Sequence, residues 1–451
     1  MTVRLGNNGY PMSRRALCAG AAALALAAML PAAGCASGKP SVSLVIKVPR
    51  TGHDVVFDES IDQIDTVISA MAEDFAQNYQ AANVDVDVIV FEQNQYDEAI
   101  PGSFDTETAP DVIYGDFFNI STYIHTGRVV PLDGIITPEL REDVYEYLWD
   151  ISTVDGRAYM IPYLARQNVL AYNKALFEEA GLEEYIDDSR ISSWTQEEWT
   201  EILDALAASL PEGSYPMMMY AGSSQGDTHI MTLLRAAGSD FFDETGHFNL
   251  STPEGIAALQ WIQDGVARGW YPPHSENLEI EDCSSLFKNG QLAIYMVNNA
   301  SIGRYGDTIG LVNFPHGDGE GVATTFVSGF EVIDNGDPER LQVALDFVSF
   351  VFSSEKWLDY AAGTIPASRT VADRYGDEIV GFEMFQENAD NVVNFTGNNP
   401  DTRAVREIFY QCIHDLLMGN ATAEETAARI DEECNRAIDE GVAASTLHDP
   451  L

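Results

Sequence analysis

Residues 43–48 read Ser43-Leu44-Val45-Ile46-Lys47-Val48, and residues 84–91 read Val84-Asp85-Val86-Asp87-Val88-Ile89-Val90-Phe91. The first is a short, nearly unbroken apolar run, as expected of a strand covered on both faces. The second alternates apolar and acidic residues before closing on an apolar stretch, the period of a strand. Between them Ile64, Val67, Ile68, Met71 and Phe75 recur at spacings of three and four, which predicts a helix over about 61–79. A strand, a covering helix and a second strand join as a parallel pair, because only a crossover connection can link parallel neighbours. The chain is therefore α/β, with a helix-covered sheet. Asp111-Val112-Ile113-Tyr114, after Ala109-Pro110, reads as a third strand, and a helix over about 120–126 follows and stops at Gly127.

The alternation continues downstream. Residues 159–163 and 169–172 read as two strands, and 174–180 as a helix ended by Gly181. Thr195, with Glu198 three residues on, is a capping box opening the next helix. Residues 217–220, 292–297, 310–314 and 330–333 read as strands; 253–267, 341–352, 400–417 and 423–438 read as helices. Gly and Pro fall between elements and never gather into one linker, so two lobes would be joined by several crossings.

The chain has 451 residues, with 24 Lys and Arg against 71 Asp and Glu, a formal charge of −47. That balance excludes a nucleic-acid or anionic-membrane partner, which would need clustered cations. A hydrophobic fraction of 45% supports a folded core in spite of the charge.

Residues 1–34 carry Arg4, Arg14 and Arg15, no acid, and an uncharged apolar run over 16–30. The run is short of the roughly 20 residues that span a bilayer and suits a signal peptide. Ala32-Ala33-Gly34-Cys35 resembles a lipobox, so Cys35 is the expected lipidated N-terminus, with 35–42 as a tether and the mature chain held on the extracellular face of the cell membrane. Cys283, Cys412 and Cys434 remain. Cys412 and Cys434 lie on two helices hinged near Gly419-Asn420, about six residues out of step, on the order of 9 Å, so free buried thiols are expected.

Gly222-Ser223-Ser224-Gln225-Gly226 matches the nucleophile elbow G-x-S-x-G, with a strand before it and a helix expected from Thr228. A secreted serine hydrolase using Ser224 is thus one alternative, although no recognisable histidine setting follows. Gly317-Asp318-Gly319-Glu320-Gly321 lacks the ligands of a calcium loop and reads as a solvated turn. No metal site, cofactor site or phosphate loop is expected.

Several segments, in order along the chain, resemble the sugar-binding family of bacterial extracellular solute-binding proteins, the maltose-binding-protein-like group. They are Ala109-Pro110-Asp111-Val112-Ile113-Tyr114, Gly127-Arg128-Val129-Val130-Pro131-Leu132-Asp133, Asp155-Gly156-Arg157-Ala158-Tyr159 through Pro162-Tyr163, Leu170-Ala171-Tyr172-Asn173-Lys174-Ala175-Leu176-Phe177, Leu286-Phe287-Lys288-Asn289-Gly290-Gln291-Leu292-Ala293, and Ile365-Pro366-Ala367-Ser368. The resemblance implies a two-lobe periplasmic-binding-protein-like fold with an interlobe ligand cleft and multiple hinge crossings: residues 43–163 plus 314–362 in the N-lobe, 164–313 plus 363–451 in the C-lobe. It implies a monomeric, non-enzymatic substrate-binding component of an ABC importer that takes a mono- or oligosaccharide and delivers it to permease subunits; a cationic or peptidic solute is the other binding alternative. Placing ligand contacts where strands run into loops at that cleft singles out Arg50, Asp116, Phe118, Asn119, Arg166, Tyr220, Ser223, Asn298, Asn299, Phe326, Ser328 and Arg403. Ala300 stands where the family carries a Trp, which removes the usual stacking platform.

Overall fold

The computed structural model describes residues 39–447 apart from 93–94, 97–98, 317–318, 320 and 394–401, and leaves the side chains of 118–121 undescribed. The expected signal segment, Cys35 and the core of the Gly317–Gly321 turn lie outside the described residues. In chain order the labelled elements are β1 (Ser41–Arg50), α1 (Ile64–Asn78), β2 (Asn83–Glu92), β3 (Val112–Asp116), α2 (Phe117–Ile124), β4 (Ile161–Asn173), α3 (Lys174–Glu179), α4 (Gln196–Ser209) and β5 (Tyr215–Met217). There follow α5 (Asp227–Ala236), α6 (Pro253–Arg268), α7 (Ile280–Lys288), β6 (Leu292–Asn298), β7 (Ile309–Val312), β8 (Ala323–Val332), α8 (Pro338–Ser353), α9 (Glu355–Asp359), β9 (Ile365–Pro366), β10 (Val392–Val393), α10 (Thr402–Leu417) and α11 (Ala423–Ala444). β1 starts at Ser41, inside the stretch expected to be tether.

These strands form one sheet ordered β2-β1-β3-β8-β4-β6-β5, with β7 and β9 also on β4 and β10 on β8. The first end is parallel, β2-β1-β3, as the strand-helix-strand reading requires. β5 and β6 are parallel at the other end. The middle is antiparallel: β8 runs against both β3 and β4, and β4 against β6. Leu44, Val45, Ile46 and Val48 of β1 are all buried, as a strand between two helical layers must be. β2 is the sheet's edge, and Asp85 and Asp87 turn outward along it, a charge pattern that discourages edge-to-edge pairing.

Two strands differ from expectation. Residues 159–163 and 169–172 are not separate strands; β4 is one strand of 13 residues. Arg166-Gln167-Asn168 interrupts its apolar pattern, but each side chain has a partner. Gln167 Nε2 donates to the Phe385 carbonyl (3.2 Å) and its Oε1 accepts from Asn388 (2.8 Å), while Asn168 Nδ2 donates to Thr324 Oγ1 (3.3 Å). β8 likewise begins at Ala323 rather than near 330. These two long strands carry the chain from one half of the sheet to the other, giving the two-lobe architecture with multiple crossings.

Local signals act where expected. Thr195 and Glu198 close a capping box on α4, and Gly269 ends α6 in the left-handed region at φ 73°. Asp111 is buried and works structurally: its carboxylate accepts from the Val45 amide (2.8 Å), Asn335 (3.0 Å) and Arg340 (2.7 Å), fastening β1, β3 and the start of α8. Residues 365–371 hydrogen-bond to residues 143–145: Ser368 Oγ donates to Asp143 and the Ala367 carbonyl accepts from Tyr145 N. Farther along, Thr446 N donates to the His125 carbonyl (2.9 Å).

Candidate functional site

Strand register brings five of the residues singled out from sequence onto one face of the sheet. In an antiparallel pair directly opposed residues share a face, and along a strand every second residue does. Asp116 of β3 faces Ser328 of β8, which faces Leu164 of β4. One step along, Phe326 faces Arg166. The next step aligns Thr324, Asn168 and Asn298 of β6. The result is three rungs of mostly polar side chains running across the crossing strands from the first half of the sheet into the second.

Hydrogen bonds order this row. Ser328 Oγ donates to Asp116 Oδ1 in a very short contact. The Arg166 guanidinium lies 3.8 Å from the same carboxylate oxygen, 3.5 Å from Ser328 Oγ, and donates to the Gly52 carbonyl (3.4 Å). Asp116 and Arg166 keep part of their side chains exposed, at 22% and 12%. Ser328, Asn168 and Thr324 are buried, while Asp116, Arg166, Asn298 and Phe326 are partly exposed, so a carboxylate, a guanidinium and an amide, with Phe326 as the apolar member, are the groups that can meet a polyhydroxyl molecule. Asn298 Oδ1 and Asn299 Nδ2 are buried without a partner among the described residues, while Asn299 Oδ1 accepts from the Gln167 backbone N–H (3.0 Å). Asn168 and Thr324 were missed from sequence. Period two from Arg166 would have reached Asn168 had β4 been read as a single strand.

The other expected contacts are placed elsewhere. Arg50, across β1–β2 from Glu92, pairs with it at 2.7 Å. Ser223 Oγ donates to Glu279 (2.5 Å). Tyr220 is buried with its ring 4.0 Å from that of His229, and burial drives both groups from their usual pKa, the phenol well up and the imidazole down to about 3. Arg403 is exposed near the start of α10. The side chains of Phe118 and Asn119 lie outside the described residues. His53 joins the region through its backbone neighbour Gly52; its Nε2 sits 2.6 Å from the Tyr360 carbonyl, and burial, together with the Arg166 charge, takes its pKa down to about 4.

The Gly222–Gly226 segment does not present a triad. Ser224 Oγ has no hydrogen bond to a histidine among the described residues. The segment is instead fastened by a buried ion pair: Arg406 Nε meets Asp227 at 2.6 Å, and Arg406 Nη2 donates to the Ser224 carbonyl (3.3 Å). A separate concavity of about 370 Å³ lies between α10, α11 and residues 276–277, and the Asp415–Arg429 pair (2.8 Å) neutralises charge within it. Among the described residues no three His, Cys, Asp or Glu side chains gather as a metal site, and no helix is long and apolar enough to cross a membrane.

Residues 63–356 match the family model described as bacterial extracellular solute-binding protein. A mannitol-binding protein of Pseudomonas aeruginosa is 24% identical over 214 residues, 46% of this chain and 47% of that one. An arabinooligosaccharide-binding protein of Halalkalibacterium halodurans is 28% identical over 142 residues, 30% of this chain and 28% of its own. The chain thus spans less than half the length of the curated relatives it matches. Among solved structures, T. maritima MalE3 with bound maltose superposes with a TM-score of 0.67 at 18% identity, covering 88% of this chain and 99% of the other. That similarity is one of fold.

Proposed function

The chain belongs to the bacterial extracellular solute-binding protein family, and from that premise we propose that it captures a neutral carbohydrate between its lobes and delivers it unchanged to the permease of an ABC importer. The observation that carries this reading is the polar row Asp116-Ser328, Arg166-Phe326, Asn168-Thr324-Asn298, laid on one face across the strands that join the lobes. Hinge motion about such crossings would close the lobes on a ligand. Polar groups built to meet hydroxyls penalise a ligand that lacks them, because they are then left buried and unpaired. The mannitol- and arabinooligosaccharide-binding relatives support a polyol or sugar, and a formal charge of −47 disfavours an anionic one.

The lobes in this reading divide near 163, 314 and 363, with 365–371 moved to the first lobe on the contacts described above. Cys35, after an acid-free apolar leader, would be lipidated and hold the protein at the extracellular face of the membrane. The testing experiment is a thermal-shift and calorimetric screen of the purified chain against sugars and polyols. The reading expects at least one to raise the melting temperature and bind without turnover. Hydrolysis of a chromogenic ester, lost in Ser224→Ala, would overturn it.

A further inference from the structure

The cleft row lacks the Trp platform of the resembling family, yet the loop whose Gly52 carbonyl meets Arg166 holds a large aromatic side chain out in solvent. Phe57 is 41% exposed. It is not on a loose loop. Residues 51–63 leave the carboxyl end of β1, the side on which ligands of open α/β sheets lie. The loop is closed by the Gly52–Gln63 bridge and by His53 N donating to the Asp62 carbonyl (2.9 Å). It is pinned to the segment between α9 and β9 by Val56 N donating to the Ala362 carbonyl (2.9 Å) and by the His53–Tyr360 contact. Gly363 allows this approach, since a Cβ there would lie 2.5 Å from the Asp54 carbonyl oxygen.

Around Phe57 the rings are ordered. Tyr375 lies 5.1 Å away at an interplanar angle of 31°, and Tyr360 lies 5.2 Å away at 67°. Tyr375 Oη donates to Asp359 (3.2 Å) and Tyr360 Oη to Asp58 (3.5 Å), so both tyrosines are oriented from their polar ends. The trio leaves aromatic surface of Phe57 facing water, beside Asp58, Asp359 and Arg374. The loop that carries Phe57 meets the polar row at Gly52, whose carbonyl accepts from the Arg166 guanidinium that also reaches Ser328.

Resting on the proposed carbohydrate reading, we infer that the Phe57–Tyr360–Tyr375 platform is a second subsite, stacking one sugar ring beyond the unit held by the Asp116–Arg166–Ser328 row, so that the ligand is an oligosaccharide of two or more units. A pyranose or furanose presents a C–H face that suits the negative face of an aromatic ring, and hydroxyls at its edge that suit the neighbouring carboxylates. Those carboxylates reject a phosphorylated or acidic sugar at this position.

The test is calorimetric titration of the purified chain with arabinose, arabinobiose and arabinotriose, with glucose, maltose and maltotriose, and with mannitol. In one ladder the oligomer is expected to bind at least about tenfold more tightly than its monosaccharide. Phe57→Ala should remove that gain and leave monosaccharide binding within about twofold, while Phe57→Trp keeps it. An unchanged melting curve for both variants confirms that an exposed ring was altered without loss of fold. The inference is overturned if Phe57→Ala leaves the oligomer-to-monomer ratio unchanged, or lowers both equally. Binding of monosaccharide or mannitol with no gain in either ladder sinks this inference alone. Binding of none of the seven probes overturns the carbohydrate reading and this subsite together.

Discussion

Ser328 and Asp116 stand directly opposite each other on β8 and β3, and the serine hydroxyl donates to the aspartate carboxylate. The bond spans the junction where the parallel first half of the sheet meets the antiparallel crossing strands. It orients a partly exposed acceptor beside Arg166 at 3.8 Å. Among the described residues only one carboxylate oxygen, Oδ1, is committed to the protein, which leaves the other for a ligand hydroxyl. Asp116→Ala should therefore weaken sugar binding by about 1–3 kcal/mol, the cost of leaving a buried hydroxyl without its acceptor. Calorimetry on the best ligand of the screen decides the matter. Unchanged affinity would remove Asp116 from the site.

The serine-centred motif has a structural use that a pair of variants can separate from a catalytic one. Arg406 neutralises Asp227, whose side chain is fully buried. Arg406→Met leaves that carboxylate buried and uncompensated, and should cost about 3–5 kcal/mol in denaturant unfolding. Ser224→Ala should change stability by no more than about 0.5 kcal/mol. Equal losses in the two variants would contradict this division of roles.

Much of the architecture was readable because it is locally encoded. The runs at 43–48 and 84–91, the helix stripe through Ile64 and Phe75, and the Thr195–Glu198 capping box each declare themselves within a few residues. β4 was not readable as one strand, because what makes Arg166-Gln167-Asn168 tolerable in a buried strand lies far along the chain, at Thr324, Phe385 and Asn388. The site divides in the same way. Asp116, Arg166, Phe326, Ser328 and Asn298 came from strand ends, and pairing register shows that they share a face. Tyr220 also ends a strand-like run, but its ring meets His229 in the core, a contact no local pattern announces. Nothing in the sequence marks Phe57 as exposed, since exposure depends on which rings pack beside it.

The three cysteines of the described chain are buried and free, as the helix stagger implied for Cys412 and Cys434. Burial pushes the Cys283 thiol up to about 12 and the Cys412 thiol up to about 11, and raises Cys434 as well. Thiolate is the reactive form, so a disulfide-exchange reagent at pH 8 should leave all three unmodified in the folded protein and modify them on unfolding. Peptide mapping separates them from Cys18 and Cys35. Modification of the folded chain at any of the three, or a Cys412–Cys434 linked peptide, would refute the assignment.

Glu331 gives the sharpest prediction for stability. It is fully buried on β8, and neither carboxylate oxygen has a partner among the described residues. Register places it on the same face as Ile113 and Lys47, one and two strands away, but the Lys47 ammonium lies over the Phe91 ring at 5.7 Å. Burial holds the Glu331 pKa well above its ordinary value. A group with a raised folded pKa keeps a proton that the unfolded chain has lost above about pH 4.3, so stability falls as pH rises from there toward the folded pKa, by about 1.4 kcal/mol per pH unit. Lys47, lowered by burial to about 8, adds stability only as pH rises above that value, beyond the pH 4.5–7.5 range measured below. Glu331→Met removes the polar group at similar volume. It should stabilise the protein at pH 7.5 by about 1–3 kcal/mol or more, with the advantage shrinking toward pH 4.5, where close to half of the unfolded chain's carboxyl also carries the proton. Urea unfolding of both proteins at pH 4.5, 6 and 7.5 measures the difference. A stability difference that does not change with pH would mean that Glu331 does not carry a displaced proton in the native state.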